Sequence, residues 1–347
     1  GLGRPCLGSR LPRVSMARKA LGPASLQVAQ ALRDALTGVP EATVGCSGGP
    51  DSLALALGAA WAGQRTGTSV RAVIVDHQLQ DGSHEVAQRA RAQLAGHDVP
   101  AVIVAVHVDP GDPDGPEAAA RTARRTALLQ HAGGGPVLLG HTLDDQAETV
   151  LLGLARGSGA RSLSGMRPRS GRFWHPLLGV RRATTVQACR EWQVEPWHDP
   201  QNADPSFLRS RVRTELMGQL TQVLGEGAIV NLARSAELLA SDDEALNHVV
   251  TWWFAGGTSH GQQSHVERFP PGAPIAGNLP VSKLHALPGG LAGRVVKAWL
   301  EHRDVHPLRV HVQAVLGLVD GPGGARVDLP GGAVRKEHGE LVWRASS

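Results

Sequence analysis

The sequence predicts a doubly wound α/β domain with a parallel sheet, followed by a smaller, mainly helical C-terminal domain. Short, fully apolar runs alternate with helix-patterned segments from Glu41 to Arg156, as a parallel sheet covered on both faces requires. Beyond residue 226 the helical pattern continues without the strand alternation. The 347 residues also suit two domains rather than one.

Each element of the first domain follows from its own pattern. Runs rich in Val, Ile and Ala predict strands over residues 42–46, 71–76, 101–108 and 136–140. Amphipathic spacing or an Ala/Leu-rich composition predicts helices from the turn after Cys46 to Ala62, over 83–95, from Glu117 onward, and over 144–156, 182–192 and 208–220.

The second domain is predicted to begin after Gly225, where glycines interrupt the helical pattern. Helices are expected over 226–253, 291–301 and 310–319, with a Gly/Pro-rich loop over 256–280 and a strand-like run at 341–343. We therefore expect a disordered leader over residues 1–25, a first domain over 26–225 and a second over 226–347.

Composition narrows the class of protein. The three cysteines, Cys6, Cys46 and Cys189, are widely separated and form no CxxC pair, which excludes a disulfide scaffold and a zinc ribbon and fits a reducing cytoplasm. No apolar run reaches the ~18 residues of a membrane span, so no membrane partner is expected. The net charge of +4 permits nucleic-acid binding without requiring it, because the many arginines also fit GC-rich codon usage.

The sharpest motif is the segment SGGPDS from Ser47 to Ser52, which joins a predicted strand to a predicted helix. Its glycines allow close backbone approach, and free N–H groups at a helix N-terminus favour a phosphate. A capped βα turn of no special function would also contain Gly and Ser, but it does not explain Asp51. A carboxylate beside bound phosphate is repulsive unless a metal cation lies between them, so Asp51 predicts a bound metal cation.

A second motif, HTLDDQAET, follows the predicted strand that ends at Gly140. Within a helix, His141, Asp145 and Glu148 share one face because they are three to four residues apart. Acidic residues are also favoured in any first helical turn, which is a sufficient explanation for Asp144 alone. The full set predicts a site for a cation, either Mg²⁺ or an ammonium group of a substrate.

The first motif resembles the pyrophosphate-binding loop of the N-type ATP pyrophosphatases, or PP-loop superfamily. The stretch HTLDDQAETVLLGLARGSGARSLSGM resembles the tRNA(Ile)-lysidine synthetase family of that superfamily. Further segments resemble the same family in the same order along the chain: VDHQLQDG, EAAARTARRTALL, HPLLGVRR and WHDPQNADPSFLRSRVR. Three positions depart from its usual pattern: Arg125 stands for Tyr, Gln201 for Ser and Ser210 for Asn.

The resemblance implies an adenine nucleotide alpha hydrolase-like fold and an ATP-dependent ligase. Members of the family adenylate the wobble cytidine of tRNA(Ile) with a CAU anticodon and then attach free L-lysine to its C2 position, which switches codon reading from AUG to AUA. By this resemblance residues 26–225 are the ATP-binding catalytic domain and residues 226–347 bind tRNA. A homo-oligomer is left open.

The same resemblance implies roles for individual residues. The ATP phosphates are expected on Ser47, Gly48, Gly49, Pro50, Asp51 and Ser52, with Asp51 also the ligand of Mg²⁺. Arg121 is expected to neutralise phosphate charge during adenylation, and His141 to orient a group or move a proton.

Lysine is expected to bind through its ammonium groups to Asp145 and Glu148, and through its carboxylate to Arg209. These three residues, with Asp51, Arg121 and His141, form the predicted catalytic machinery. Arg161 and Arg213 are weaker candidates for tRNA contacts, and four basic residues of the C-terminal part are expected to complete the tRNA surface: Arg294, Lys297, Arg303 and Arg309.

Three alternatives stay open on the sequence. A tRNA-thiolating relative needs paired thiolates or a cluster, and the missing CxxC argues against it. An amide-forming relative needs a glutaminase-type nucleophile or a partner that carries one. A catalytically silent tRNA-binding protein does not need Asp51, Asp145 and Glu148, so the presence of these three acids argues against it.

Overall fold

The computed structural model describes residues 20–76, 78, 82–106, 115–157, 159–199, 204, 206–255 and 274–346. The chain divides into two compact units, Gly1–Ala240 and Ser241–Ser347, and the division falls within a long helix, α10 (Gly227–Phe254). Of the leader expected over 1–25, residues 1–19 lie outside the described residues, and helix α1 (Pro23–Leu36) begins at Pro23.

Unit 1 is built on a six-stranded sheet in the order β3-β2-β1-β4-β6-β5. Its strands are β1 (Glu41–Cys46), β2 (Ser69–Asp76), β3 (Ala101–Ala105), β4 (Val137–Leu138), β5 (Arg169–Ser170) and β6 (Phe173–Trp174). All neighbouring pairs run parallel except β5 with β6. The predicted doubly wound parallel fold is confirmed. The third strand is shorter than predicted among the described residues, since it ends at Ala105 and residues 107–114 lie outside them.

The helices of unit 1 include all the predicted segments, while α1 and the short α6 were not predicted. They are α2 (Pro50–Thr66), α3 (Ser83–Gly96), α4 (Pro116–Gln130), α5 (Leu143–Ala155), α6 (Ala160–Leu163), α7 (Arg182–Trp192), α8 (Leu208–Arg211) and α9 (Met217–Leu224). A π-helical turn, Val212–Leu216, joins α8 to α9 where a single helix was predicted. Such a turn is rare and often occurs at functional sites.

The central strand β1 fixes where a site can form. It pairs with β2 on one side, with Gly45 opposite Val73, and with β4 on the other, with Val44 opposite Leu138. The chain therefore winds outward in both directions from β1, and the crevice at such a reversal point is where open α/β sheets bind ligands. The segments after β1 and after β4 both enter this crevice.

The core of unit 1 explains why the sequence forms these layers. Helix α2 is buried along most of its length, from Ser52 to Ala59, because it packs between the sheet and α1. Its Ala- and Leu-rich composition suits such a fully covered helix. At the start of α1, the Glu191 carboxylate accepts the Ser25 backbone N–H at 2.7 Å, which satisfies one of the free N–H groups of that helix.

A side-chain clamp holds the segment after α5. Gln146 donates from Nε2 to the Met166 carbonyl at 3.0 Å and accepts the Met166 N–H on Oε1 at 2.8 Å. Gly165 has φ +63°, and a Cβ there would lie 2.5 Å from Gln146 Oε1. The clamp therefore requires glycine at position 165, whereas Met166 contributes only its backbone groups.

Unit 2 combines helices with an antiparallel sheet. Its helices are α11 (Val281–His285), α12 (Gly289–Glu301) and α13 (Arg309–Asp320), and its sheet has the order β7-β10-β9-β8. The strands are β7 (Leu279–Pro280), β8 (Arg326–Leu329), β9 (Gly332–Glu337) and β10 (Glu340–Ala345). The predicted helices are confirmed; of the sheet, the sequence indicated only the run that became β10. In the parts of the chain that the structure describes, no helix is long and apolar enough to cross a membrane.

Candidate active site

The predicted phosphate-binding segment forms a tight turn between β1 and α2. Gly48 adopts φ +83°, a left-handed conformation that favours glycine, and Gly49 is the N-cap of α2. The Ser52 hydroxyl donates to the Gly49 carbonyl at 3.0 Å and accepts the Ser47 N–H at 3.1 Å. These bonds hold the turn in place with the N-terminus of α2 directed at its concave side.

A cavity of about 440 Å³ opens beside this turn. Apolar side chains from the sheet and from α3 and α4 form one part of its wall: Val73, Ile74, Val86, Leu128 and Leu139. Charged and polar side chains form another part: Asp51, Arg124, His141, Asp145, Arg182 and Arg213. An apolar wall next to a few polar groups is the usual lining of a small-molecule site.

The segment after β4 is brought against the turn by a glycine. A Cβ at Gly140 would lie 3.0 Å from the backbone carbonyl carbon and oxygen of Asp51. Only glycine allows the two backbones to come this close, which places His141 and helix α5 at the mouth of the cavity.

The acidic residues of α5 are held by a capping box. Thr142 is the N-cap, and its backbone N–H and hydroxyl donate to Asp145 Oδ2 at 2.8 and 2.7 Å. Asp145 Oδ1 is thereby turned away from the helix backbone. Glu148 lies one turn later with its side chain 0% exposed.

Three arginines surround these two carboxylates. Arg182 donates to Asp145 Oδ1 at 2.7 Å and to Glu148 Oε1 at 2.9 Å. Arg213 donates to Asp145 Oδ1 at 3.0 Å and to both oxygens of Glu148 at 2.9 Å. Arg209 donates to Glu148 Oε2 at 3.2 Å and lies 3.5 Å from Asp145 Oδ1. We call these five side chains, together with Asp51, the carboxylate–arginine cluster.

Arg182 is a site residue that the sequence reasoning missed. It is the first residue of α7, where its Nε lies 3.4 Å from Asp51 Oδ2. The Asp144 carboxylate accepts the Arg182 backbone N–H at 2.7 Å and also pairs with Arg181 at 3.1 Å. A cation at a helix N-terminus opposes the helix dipole. Two arginines at that position were therefore a signal that carboxylates lie opposite them.

Asp51 is bound on both oxygens. The Thr185 hydroxyl donates to its Oδ1, and Arg182 contacts its Oδ2. The first turn of α7 thus connects Asp51 of the phosphate-binding turn to the carboxylates of α5.

Burial and charge set the protonation of the acids in different directions. Burial acts to raise the pKa of Asp145, but Arg182, the bonds from Thr142 and Arg213 outweigh it and hold that pKa at about 2. Burial also acts to raise the pKa of Glu148, but Arg213 and Arg182 outweigh it, so that this pKa is lowered. For Asp51 burial prevails and raises the pKa, although Thr185 and Arg182 act against it. Asp51 is therefore the carboxylate that gains most from an additional cation.

His141 is held in its neutral form. Burial is the main cause that lowers its pKa to about 4, and the nearby His175 and Arg124 add to the effect, while Asp145 opposes it. Its Nδ1 is buried and has no hydrogen-bond partner among the described residues, and its ring lies 4.9 Å from that of His175. A neutral imidazole can accept or donate a hydrogen bond but carries no charge at pH 7.

Helix α4 presents a group of arginines near the same cavity. Arg121 is exposed on α4, whereas Arg124 lines the cavity. Burial, with repulsion from Arg121 and Arg125, lowers the pKa of Arg124. Among the side chains that the structure describes, no carboxylate pairs with Arg124. Arg125, which stands where the family usually has Tyr, lies over the Phe173 ring at 3.8 Å and so retains a planar stacking contact.

The other predicted nucleic-acid contacts are dispersed. Arg161 lies exposed on α6 and is absent from the cavity lining, while Arg213 belongs to the carboxylate–arginine cluster. In unit 2, Arg294 pairs with Asp243 at 2.7 Å and Lys297 pairs with Glu301.

Arg303 stacks over Trp299 at 4.3 Å and donates to three backbone carbonyls of residues 275–277. Arg294, Lys297 and Arg303 thus have structural contacts within the unit. Arg309, at the start of α13, is exposed.

The two described cysteines are buried. Cys46 ends β1 and Cys189 lies in α7, and burial raises the pKa of both thiols, that of Cys189 to about 12. A raised pKa disfavours the thiolate that sulfur chemistry needs.

Comparison with known proteins agrees with this geometry. The family model described as "PP-loop domain" matches residues 24–220, and the one described as "TilS substrate binding domain" matches residues 279–342. A tRNA(Ile)-lysidine synthase of Cutibacterium acnes is 59% identical over 94% of this chain and 98% of its own length. A tRNA(Ile)-lysidine synthase of Mycolicibacterium paratuberculosis is 48% identical over 74% of this chain and 73% of its own length. One of Leifsonia xyli subsp. xyli is 43% identical over 86% of this chain and 88% of its own length. With a PP-loop turn, a carboxylate–arginine cluster at its mouth and relatives of this similarity, the chain belongs to the tRNA(Ile)-lysidine synthase family.

Proposed function

We propose that the protein ligates free L-lysine to the C2 position of the wobble cytidine of tRNA(Ile) with a CAU anticodon, using ATP. In the first step the C2 oxygen of the cytidine attacks the α-phosphorus of ATP, and pyrophosphate leaves. In the second step the ε-amine of lysine attacks C2, and AMP leaves with that oxygen while the amine loses its proton. The observation that carries the proposal is that four members of the carboxylate–arginine cluster, Asp51, Asp145, Arg182 and Arg213, line one cavity together with the phosphate-binding turn.

The phosphate-binding turn supports the ATP half of the reaction. The N-terminus of α2 and the hydroxyls of Ser47 and Ser52 provide donors for phosphate oxygens. We assign the contacts with ATP to Ser47, Gly48, Gly49, Pro50, Asp51 and Ser52. The apolar wall next to them suits an adenine ring.

Mg²⁺ fits the residues present. The ion typically takes one or two protein carboxylates and completes its shell with substrate phosphates and water. Asp51 offers one partly exposed carboxylate in the cavity, and burial raises its pKa although Thr185 and Arg182 act against it, so a cation bound there would stabilise its ionised form. When bound, Mg²⁺ neutralises charge on the phosphates, and Asp51 is the residue that holds it.

Arg124 and the neutral His141 line the cavity, and we propose that they act where charge develops during adenylation. Arg124 faces the cavity without a carboxylate partner among the described side chains, and Arg121 adds positive charge from the adjacent turn of α4. Cations aimed at a transferring phosphate lower the barrier because they are already oriented. We assign charge neutralisation to this pair and a hydrogen-bonding role to the neutral His141.

The lysine half of the site rests on Asp145 and Glu148. Their carboxylates are ionised and buried, and ammonium groups are the substrate cations that suit them. Arg209 is 40% exposed on its side chain, the most accessible arginine of the cluster, and is our candidate for the lysine carboxylate. The tRNA itself is expected on Arg161, on Arg309 and on the surface of unit 2, which the substrate-binding family model covers.

Incubation of the protein with tRNA(Ile) carrying a CAU anticodon, ATP and radiolabelled lysine tests the proposal. We expect the label to enter the tRNA with release of one AMP and one pyrophosphate for each lysine. The same tRNA with the wobble cytidine replaced by uridine is the control and is expected to stay unlabelled. Absence of label and of lysine-dependent AMP release from the CAU tRNA contradicts the proposal.

A tRNA-thiolating activity is the alternative within the superfamily. The burial and raised pKa of the Cys46 and Cys189 thiols disfavour it. The same assay with a labelled sulfur donor in place of lysine is expected to leave the tRNA unlabelled.

A further inference from the structure

Arg182 is distinguished from the other two arginines of the cluster by what it touches. It contacts Asp51 of the phosphate-binding turn at 3.4 Å and the α5 carboxylates of Asp145 and Glu148 at 2.7 and 2.9 Å. Arg209 and Arg213 pair with the α5 carboxylates. Arg182 therefore connects the ATP half of the site to the lysine half.

The α5 carboxylates have more cations than they need. Arg209 and Arg213 already supply two positive charges for the two negative charges of Asp145 and Glu148, and Arg182 is a third. If Arg182 turns away, Asp145 Oδ1 and Glu148 Oε1 lose donors at 2.7 and 2.9 Å, while the pair stays neutralised. An ammonium group has three N–H donors and can replace both bonds.

The phosphates of a bound nucleotide are expected to attract the Arg182 guanidinium away from the carboxylates. Its guanidinium lines the cavity next to the phosphate-binding turn and is 22% exposed, so it is within reach of an anion there. A triphosphate carries more negative charge than Asp51, and Mg²⁺ competes with Arg182 for that carboxylate. The backbone of Arg182 stays fixed because Asp144 accepts its N–H at 2.7 Å, so the motion is confined to the side chain.

We propose that Arg182 makes the lysine site conditional on bound nucleotide. Without ATP its guanidinium occupies the position of the lysine ammonium between Asp145 and Glu148. With ATP it moves to the phosphates and leaves that position open. The proposal rests on the proposed function, since it takes the α5 carboxylates as the lysine site.

Titration calorimetry with lysine, in the presence and absence of α,β-methylene ATP and Mg²⁺, measures this coupling without turnover or tRNA. For the unmodified protein we expect lysine to bind about tenfold more tightly with the analogue, within the range typical of coupled sites. Lysine must tighten binding of the analogue by the same factor, which is an internal check.

Arg182→Gln removes the competing cation. We expect it to bind lysine equally well with and without the analogue, because nothing then occupies the ammonium position. Arg190→Gln is the matched control: it removes the same charge from the exposed end of α7, where Arg190 contacts Gln187 at 3.4 Å, and is expected to keep the coupling. Arg182→Lys retains one charge but not the two-pronged geometry, so we expect a coupling reduced to about threefold.

The outcomes separate this proposal from the one on which it rests. Equal lysine affinity with and without the analogue in the unmodified protein overturns the role of Arg182 while leaving lysine binding intact. Full coupling in Arg182→Gln does the same. If Arg182→Gln does not fold, full coupling in Arg182→Lys is the overturning result. Absence of lysine binding in every state, together with unlabelled tRNA in the incorporation assay, removes the proposed function as well.

Discussion

Replacement of Glu148 by Gln tests the carboxylate–arginine cluster directly. The side chain is 0% exposed and accepts four N–H donors, two from Arg213 and one each from Arg182 and Arg209. Gln has nearly the same shape, but it lacks the charge and directs an NH₂ group at guanidinium donors. Removing one partner of a buried ion pair typically costs about 3–5 kcal/mol, because the remaining charges lose their compensation.

This free energy corresponds to a large change in thermal stability. For a domain of about 150–250 residues each kcal/mol lowers the melting temperature by about 2–4 °C, so we expect a decrease of about 6–20 °C. Scanning calorimetry of the full chain measures it. Glu237→Gln is the matched control, since Glu237 lies exposed on α10 and its loss is expected to change stability by less than about 0.5 kcal/mol.

A second measurement separates stability from binding. Lysine affinity of Glu148→Gln is expected to fall at a temperature at which the variant is folded, because one of the two ammonium acceptors has lost its charge. A variant that melts within about 1 °C of the Glu237→Gln control refutes the reasoning, because at about 2–4 °C per kcal/mol it leaves no room for a buried ion pair.

Three further predictions concern other parts of the unit. Asp51→Asn is expected to abolish pyrophosphate release while tRNA affinity in a filter-binding assay stays within about twofold, because the change removes a metal ligand and not an RNA contact; parallel loss of tRNA binding contradicts this. Gly165→Ala is expected to lower the free energy of unfolding in urea by about 1–3 kcal/mol, because φ +63° disfavours a Cβ that also displaces the Gln146 clamp; a change below about 0.5 kcal/mol contradicts the clamp. His141 has its pKa lowered to about 4 from 6.5, so the unfolded chain binds a proton that the native chain does not, and stability is expected to fall as the pH decreases from about 6.5 to 4. His141→Asn is expected to flatten this part of the stability–pH curve, and an unchanged slope counts against a buried neutral His141.

The sequence predicted the elements that carry local patterns. The local sequence is almost sufficient to predict the strand, turn and helix around Ser47–Ser52. The left-handed conformation of Gly48 and the first turn of α2 depend on residues that are close together in the chain. The capping box at Thr142 and Asp145 is equally local. Family resemblance then supplied the chemistry that such patterns leave open.

The arginines of the cluster could not be ranked from the sequence. Arg182, Arg209 and Arg213 stand among many arginines, and their partners lie 34 to 131 residues away in the chain. The sequence assigned Arg213 to tRNA and left Arg182 unassigned, because ion pairs at that separation depend on sheet order and helix placement. Similarly, the antiparallel sheet of unit 2 has short strands whose pairing is set by register and not by composition.

The dispersion of the cluster along the chain has a consequence for how the protein is made. Its carboxylates lie at Asp51, Asp145 and Glu148, and their partners are all synthesised later: Arg182 for Asp51, and also Arg209 and Arg213 for the other two. Until residue 213 has been synthesised, Asp145 and Glu148 lack part of their partners, and their burial is unfavourable. The nucleotide-binding sheet can therefore form early, but its mouth closes only when nearly the whole of unit 1 has emerged.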